Sequence, residues 1–217
     1  YHFCTVTLSA RYFDIIKDRL YTFAPKSHAR RSTQTALYRI CDSLARLVAP
    51  ILVFTADEIW ENLPQANNED HAASVHLTQF PEVRGSRDEK LLVDWDQLFK
   101  VRDEVLAKLE EARVAKVIGS SLEARVVIRP SAFVRELLER LKDDLRYVFI
   151  VSQVELRTWN HEKEVKGLPF NDVKVERADG EKCERCWNYS TRVGESKRYP
   201  TACERCVAAL AEIEEAA

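Results

Sequence analysis

CERCWNYSTRVGESKRYPTACERC, residues 183–206, carries four cysteines in the pattern C-x2-C-x16-C-x2-C. Each C-x2-C pair lets two sulfurs turn inward on one tight loop, and two such loops close a tetrahedron around a metal ion. Soft sulfur in fourfold geometry selects zinc. Cys183, Cys186, Cys203 and Cys206 are therefore expected to hold one zinc ion. A closed four-sulfur shell leaves no position for water, so this zinc is expected to be structural and not catalytic. Two disulfides are the competing reading of the same cysteines; nothing else in the chain has a secreted character that would favour them.

The other two cysteines, Cys4 and Cys41, lie in helical patterns without a partner at ligand spacing and are expected to be small buried apolar residues. Four cysteines given to metal and two left free fit a reducing cytoplasm. Of the 217 residues, 46% are hydrophobic and 31% are charged, and the formal net charge is −2. That balance suits a water-soluble fold. It also gives no blanket attraction to nucleic acid, so RNA or DNA binding would rest on local basic patches. No apolar run reaches the length of a membrane span, and the first 30 residues carry acids and bases throughout, unlike a signal peptide. The chain starts at Tyr1, within a helical pattern, and has no methionine, which predicts a piece of a longer protein.

Working back from the cysteines, Asp179-Gly180 predicts a turn into the finger, and Val207–Glu215 predicts a short closing helix. Before them, the Val- and Ile-rich stretch Leu122–Arg129 reads as a strand, Pro130-Ser131 opens a helix, and Phe149–Leu156 and Val173–Val175 read as two further strands. Earlier still, apolar residues recur every three or four positions. The first stripe is Phe3, Val6, Ala10, Phe13, Ile16, Leu20 and Phe23, ended by Pro25. A second stripe, Leu37, Ile40, Leu44, Leu47, Ile51 and Phe54, follows a cap at Ser32 or Thr33 and is kinked or broken at Pro50. Thr55 and Glu58 resemble a capping box. Residues 64–87 read as a long surface connection, and a third helix runs from about Asp88 to Val117. Three long helices with one apolar stripe each are stable only when packed together. The expected fold is mainly α: an antiparallel helical bundle over residues 1–118, a small α+β junction unit over 119–178, and a four-cysteine zinc finger with its closing helix over 179–217.

Three stretches together resemble a known family. LSARYFDIIKDRLYT (8–22) and RRSTQTALYRICDSLARLVAPILVFTADEIWENLP (30–64) are similar to the anticodon-binding helical bundle of class I aminoacyl-tRNA synthetases, in the branch for isoleucine, valine and leucine. VLAKLEEARVAKVIGSSLEARV (105–126) resembles the segment that follows the bundle in bacterial isoleucyl-tRNA synthetases. CERCWNY (183–189) with YPTACERC (199–206) resembles the C-terminal finger of the same enzymes. The resemblance implies binding to the anticodon stem-loop of isoleucine tRNA, with ATP-dependent joining of isoleucine to that tRNA by the intact enzyme. Neither HIGH nor KMSKS, the family's nucleotide-binding signatures, occurs in the chain. The resemblance therefore places ATP, catalysis and editing in the remainder of the synthetase upstream of Tyr1, and it implies no membrane partner.

The finger motif of the family turns its arginine and tryptophan toward the anticodon, so Arg185 and Trp187 inherit that expectation. The physics agrees, because unstacked bases are read by stacking on aromatic faces and by hydrogen bonds to their edges. Trp187 as a cap on a small core beside the zinc is the alternative. Phosphate contacts need grouped cations. Lys26, Arg30 and Arg31, with His28 and no acid between them, are the candidate cluster. Lys17, Arg19, Lys182, Arg192, Lys197, Arg198 and Arg205 are weaker candidates with acids nearby. Asp143/Asp144 and Glu110/Glu111 read as solvated charges, and His161, near Trp159 and Asn160, has no evident partner. Two other function classes use such fingers. A formamidopyrimidine-type DNA glycosylase shares the spacing but needs a catalytic N-terminal proline and a β-rich first domain, whereas this chain opens with a helical pattern. A zinc-ribbon module that binds protein is the other.

Overall fold

The computed structural model describes residues 1–64, 72–82, 85, 87–158 and 171–215; Trp159, Asn160 and His161 lie outside them. The chain divides into two compact units, one of Pro25–Arg87 and one of Tyr1–Ala24 with Asp88–Ala217. Among the described residues, no helix is long and apolar enough to cross a membrane.

In the larger unit the chain first winds as a wide helix over Phe3–Phe13 and continues as α1, Asp14–Thr22. The wide winding, with bonds from i to i+5, advances each residue by less than the usual angle. A stripe read at 3.6 residues per turn cannot stay on one face of it. Accordingly Leu8, Ile15 and Ile16 are buried, while Phe3 and Phe13 are exposed. Cys4 is exposed on the same segment, contrary to its expected burial.

In the smaller unit, α2 spans His28–Val48 and α3 spans Val53–Asn62. The cap of α2 is Ser27, whose Oγ accepts from the Arg30 amide at 3.4 Å, not Ser32 or Thr33. The helix thus starts a turn earlier than its apolar pattern. Pro50, which has no amide to donate, falls in the break between the two helices. The break extends to Leu52, so Thr55 lies inside α3 and forms no capping box. The unit's core is Ala45, Ala49, Ala56, Trp60, Leu63 and Val75. Small alanines at the face between α2 and α3 allow close approach. The expected stripe faces elsewhere: Ile51 is 81% exposed and Phe54 88%. Residues 72–78 are stapled to α3, because Asp57 accepts from Ser74 Oγ at 2.6 Å and from the Val75 amide at 3.0 Å.

The third long helix, α4, spans Glu89–Val114 and returns to the larger unit. Asp88 caps it by accepting from the Leu91 amide at 2.9 Å. Leu98, Val101, Val105, Leu109 and Ala112 are buried along its expected stripe, whereas Leu91 and Trp95 remain exposed. They pack on a three-stranded sheet of order β2-β1-β3, with β1 at Ala124–Arg129, β2 at Gln153–Leu156 and β3 at Asp172–Arg177. Strands β1 and β2 are parallel, with Val126 opposite Val154; β1 and β3 are antiparallel, with Val126 opposite Val175. A parallel pair needs a crossover, commonly helical. Two short helices supply it: α5, Arg135–Arg140, and α6, Leu145–Phe149. Phe149 therefore ends a helix, and the strand expected from it begins four residues later at Gln153. With Leu138, Leu145 and Ile128, Phe149 is fully buried at the centre of this core.

The finger extends from that sheet. Gln153 Nε2 donates to the Asp179 carbonyl at 2.9 Å, and the Asp179 amide donates back to Gln153 Oε1 at 3.0 Å. Gly180 follows with φ +87°, and a Cβ there would lie 2.3 Å from the Ser190 backbone. Only glycine fits that approach. It allows β4, Glu181–Lys182, to pair antiparallel with β5, Tyr189–Ser190, and the closing helix α7 spans Glu204–Glu215.

Candidate metal centre and nucleic-acid surface

The first knuckle is set by backbone bonds. The Cys183 amide donates to the Asn188 carbonyl at 2.9 Å, and the Trp187 amide donates to the Cys183 carbonyl at 2.8 Å. The second opens α7, with the Val207 amide donating to the Cys203 carbonyl at 2.9 Å. The sulfurs of Cys183, Cys186, Cys203 and Cys206 all lie within 4.8 Å of one another, and all four residues are buried. Cys186 and Cys203 sulfurs are 3.7 Å apart. Zinc–sulfur bonds of about 2.3 Å set a tetrahedral edge of about 3.8 Å, so this separation fits two ligands of one ion. All four are free cysteines, which removes the two-disulfide reading.

Charge in the cluster points the same way. The hydrogen bond with Cys186 pushes the Cys203 thiol up to about 11, and Cys206 is pushed up by the same neighbour. Bonds from Cys203 and then Cys206 draw Cys186 down. Sulfurs this close resist ionising together, and a divalent cation between them removes that conflict by binding the thiolates.

Both CERC arginines reach α1. Arg205 forks onto the Asp18 carboxylate, with Nη2 at 3.0 Å from Oδ1 and Nη1 bonded to Oδ2. Its guanidinium also lies 5.3 Å from the centre of the Phe23 ring. Arg185 donates through Nη1 to the Thr22 carbonyl at 2.5 Å and to Cys206 Sγ at 3.4 Å. It is half-buried and holds the knuckle to the last turn of α1. Sequence reasoning missed Asp18 as a site residue, since it only appeared to offset nearby cations. The repeated CERC carried the signal that both arginines have equivalent positions.

Trp187 stands apart. Its side chain is 61% exposed and lies outside the small core around the sulfurs, although it directly follows a buried ligand. Its φ is +65°, a left-handed conformation that bulky residues rarely adopt. Lys182 Nζ lies 5.5 Å from its ring centre.

In the smaller unit, Lys26 and Arg31 line an open depression of about 590 Å³ together with His28, Ser32, Thr35 and Arg39. Arg30 does not line it. Arg39 was missed in the sequence, although Arg31, Thr35 and Arg39 fall on one helix face at steps of four. Most of the weaker candidates are committed to acids: Lys17 to Asp14 at 2.9 Å, Arg19 to Asp144 at 2.6 Å, Arg192 to Glu195 at 2.9 Å, and Arg198 to Glu214. Glu110 and Glu111 likewise pair with Arg113 and Lys108 on the surface of α4.

Comparison with known proteins agrees with this geometry. A family described as the anticodon-binding domain of tRNA ligase matches residues 1–128, and one described as a zinc finger found in FPG and IleRS matches residues 180–209. A protein of Syntrophotalea carbinolica named isoleucine–tRNA ligase is 49% identical over 215 residues, covering 98% of this chain and 23% of that protein. Proteins of the same name from Histophilus somni and Caldanaerobacter subterraneus are 47% and 43% identical, covering 94% and 98% of this chain and 22% and 23% of their own lengths. The chain thus spans less than a quarter of each of these relatives. The finger match and the buried four-sulfur cluster together assign a structural zinc ion. Matched over more than half its length, the chain belongs to the anticodon-binding domain family of tRNA ligases and carries a zinc finger of the FPG and IleRS type.

Proposed function

We propose that this chain is the tRNA-holding, C-terminal part of an isoleucine–tRNA ligase and grips the anticodon stem-loop of isoleucine tRNA. Activation of isoleucine with ATP, and its transfer to the tRNA, belong in this reading to the rest of the synthetase upstream of Tyr1, in the cytoplasm. The observation that carries it is Trp187: an aromatic ring held out to solvent on a left-handed turn of a four-sulfur metal knuckle. A ring so placed costs the backbone strain and gains little packing, which is understandable if it receives a base.

Lys26, Arg30 and Arg31 contribute phosphate contacts in this proposal, supported for two of them by the basic depression they share with Arg39. Arg185 is a weaker RNA contact, since its Nη1 is already bonded to Thr22 and Cys206; only its other guanidinium nitrogens would serve. The division into a bundle over 1–118, a junction over 119–178 and a finger over 179–217 belongs to the proposal. So does an antiparallel arrangement of the long helices.

A gel-shift of this chain with isoleucine tRNA, an unrelated tRNA and duplex DNA tests the reading. Preference for isoleucine tRNA is expected. Equal retention of all three, or preference for duplex DNA, would overturn it.

A further inference from the structure

An open cleft of about 450 Å³, walled by α1, α6 and the first knuckle, reaches one of the four metal-ligating sulfurs. Cys186 lines it, whereas Cys183, Cys203 and Cys206 do not. Cys186 also keeps the most exposure of the four, 8% against 4% or less. Hydrogen bonding does not set it apart. Cys183 Sγ accepts from the Cys203 amide at 3.3 Å and Cys206 Sγ from Arg185 Nη1 at 3.4 Å, while the amides of Asn188 and Cys206 serve Cys186 and Cys203. Access therefore decides which sulfur meets a reagent from solution.

The surroundings favour reaction there. Arg146 and Arg185 line the same cleft, and its acids Asp14 and Asp18 are already paired with Lys17 and Arg205. A sulfur that ligates metal is already a thiolate, so Cys186 needs no base. A second sulfur is at hand, since Cys203 Sγ lies 3.7 Å from Cys186 Sγ and has to close to about 2.05 Å to form a disulfide. We propose that Cys186 is a modification site for small hydroperoxides, with Cys203 as the resolving residue. The Cys186 sulfur attacks one oxygen of hydrogen peroxide; the O–O bond breaks, and the departing hydroxide takes a proton to become water. The Cys203 sulfur then attacks the sulfenic sulfur of Cys186. The S–S bond forms, the S–O bond breaks, and the second hydroxide leaves as water. Two thiolates are oxidised by two electrons in all, and one peroxide is reduced to two waters with two protons consumed. Each knuckle gives one ligand to the disulfide, so the four-sulfur shell is lost. Arg185 and Arg205, which hold the knuckles to α1, then lose their rigid mounts. This inference does not depend on the tRNA-holding reading.

The test uses the zinc-loaded Cys4→Ser/Cys41→Ser chain, which lacks the two cysteines outside the cluster. Under limiting hydrogen peroxide, a Cys186–Cys203 disulfide should be the first product in peptide mass maps, in step with release of zinc to a chromogenic chelator. A thiol reductant with added zinc should restore the starting mass and metal content. Limiting N-ethylmaleimide should label Cys186 several times faster than the other three. Leu122→Ala, which widens the cleft without touching a ligand, should speed both reactions selectively at Cys186. Equal labelling of the four cysteines in the parent, an equal rise at all four in Leu122→Ala, or a first disulfide within one knuckle would overturn the assignment.

Discussion

Arg205 and Asp18, separated by 187 residues in sequence, form a forked ion pair that fixes the second cysteine knuckle to α1. The two side chains retain only 19% and 23% of their exposure, so water screens the pair incompletely. Charged hydrogen bonds of this kind contribute about 1.5–3 kcal/mol. Asp18→Ala and Arg205→Met should each lower the stability of the larger unit by about that amount. The double variant should lose less than the sum of the two, as a thermodynamic cycle in urea would measure. Additive losses would mean that the pair contributes nothing as a pair.

Chelation should act beyond the finger. One zinc per chain is expected by metal analysis, bound by Cys183, Cys186, Cys203 and Cys206. Its removal should loosen residues from about 180 onward and also the last turn of α1, because Arg185 and Arg205 are anchored there. Hydrogen exchange followed during chelation checks this. The smaller unit, Pro25–Arg87, has its own core and should keep its protection.

Acid should weaken the sheet through Glu176. Hydrogen bonds from Lys174 and then Arg125 hold its carboxyl at about 2, below its ordinary value of 4.5. The folded chain therefore binds fewer protons here than the unfolded one between those values. The stabilisation is present above 4.5 and lost as pH falls toward 2. Glu176→Gln should flatten the fall in stability over that window. An unchanged acid profile would contradict the assignment.

The basic depression makes a salt-dependent prediction. Replacing Lys26 and Arg31 with alanine should weaken binding to many RNAs alike and flatten the dependence of affinity on salt, since phosphate contacts release counterions. Adding Arg39→Ala should flatten it further. A specific loss for one tRNA at unchanged salt slope would point to base reading instead.

The parts legible in the sequence were those with local signals. Cys183, Cys186, Cys203 and Cys206 announced themselves by spacing, and the stripe Leu98, Val101, Val105, Leu109 by helical period. What escaped reading depended on partners far away or on departures from regular geometry. The contact of Arg205 with Asp18 has no local trace. Leu47, Ile51 and Phe54 have the period of a buried face, yet alanines on another side of α2 and α3 make the unit's core. The wide winding of Phe3–Phe13 rotated a stripe that assumed 3.6 residues per turn. Phe149 looked like a strand residue because β-rich sequence continues after it, although its burial is at the end of a crossover helix.

The most direct test of the account is the affinity of Trp187→Ala for isoleucine tRNA, measured with zinc content and melting temperature on the same sample. Since the ring is 61% exposed, the variant should keep one zinc and its stability, and should lose roughly 1–3 kcal/mol of binding with little change in salt dependence. A variant that keeps its zinc and binds as tightly as the parent, or one whose binding falls only in step with lost zinc, would contradict the claim that this knuckle presents Trp187 to the RNA.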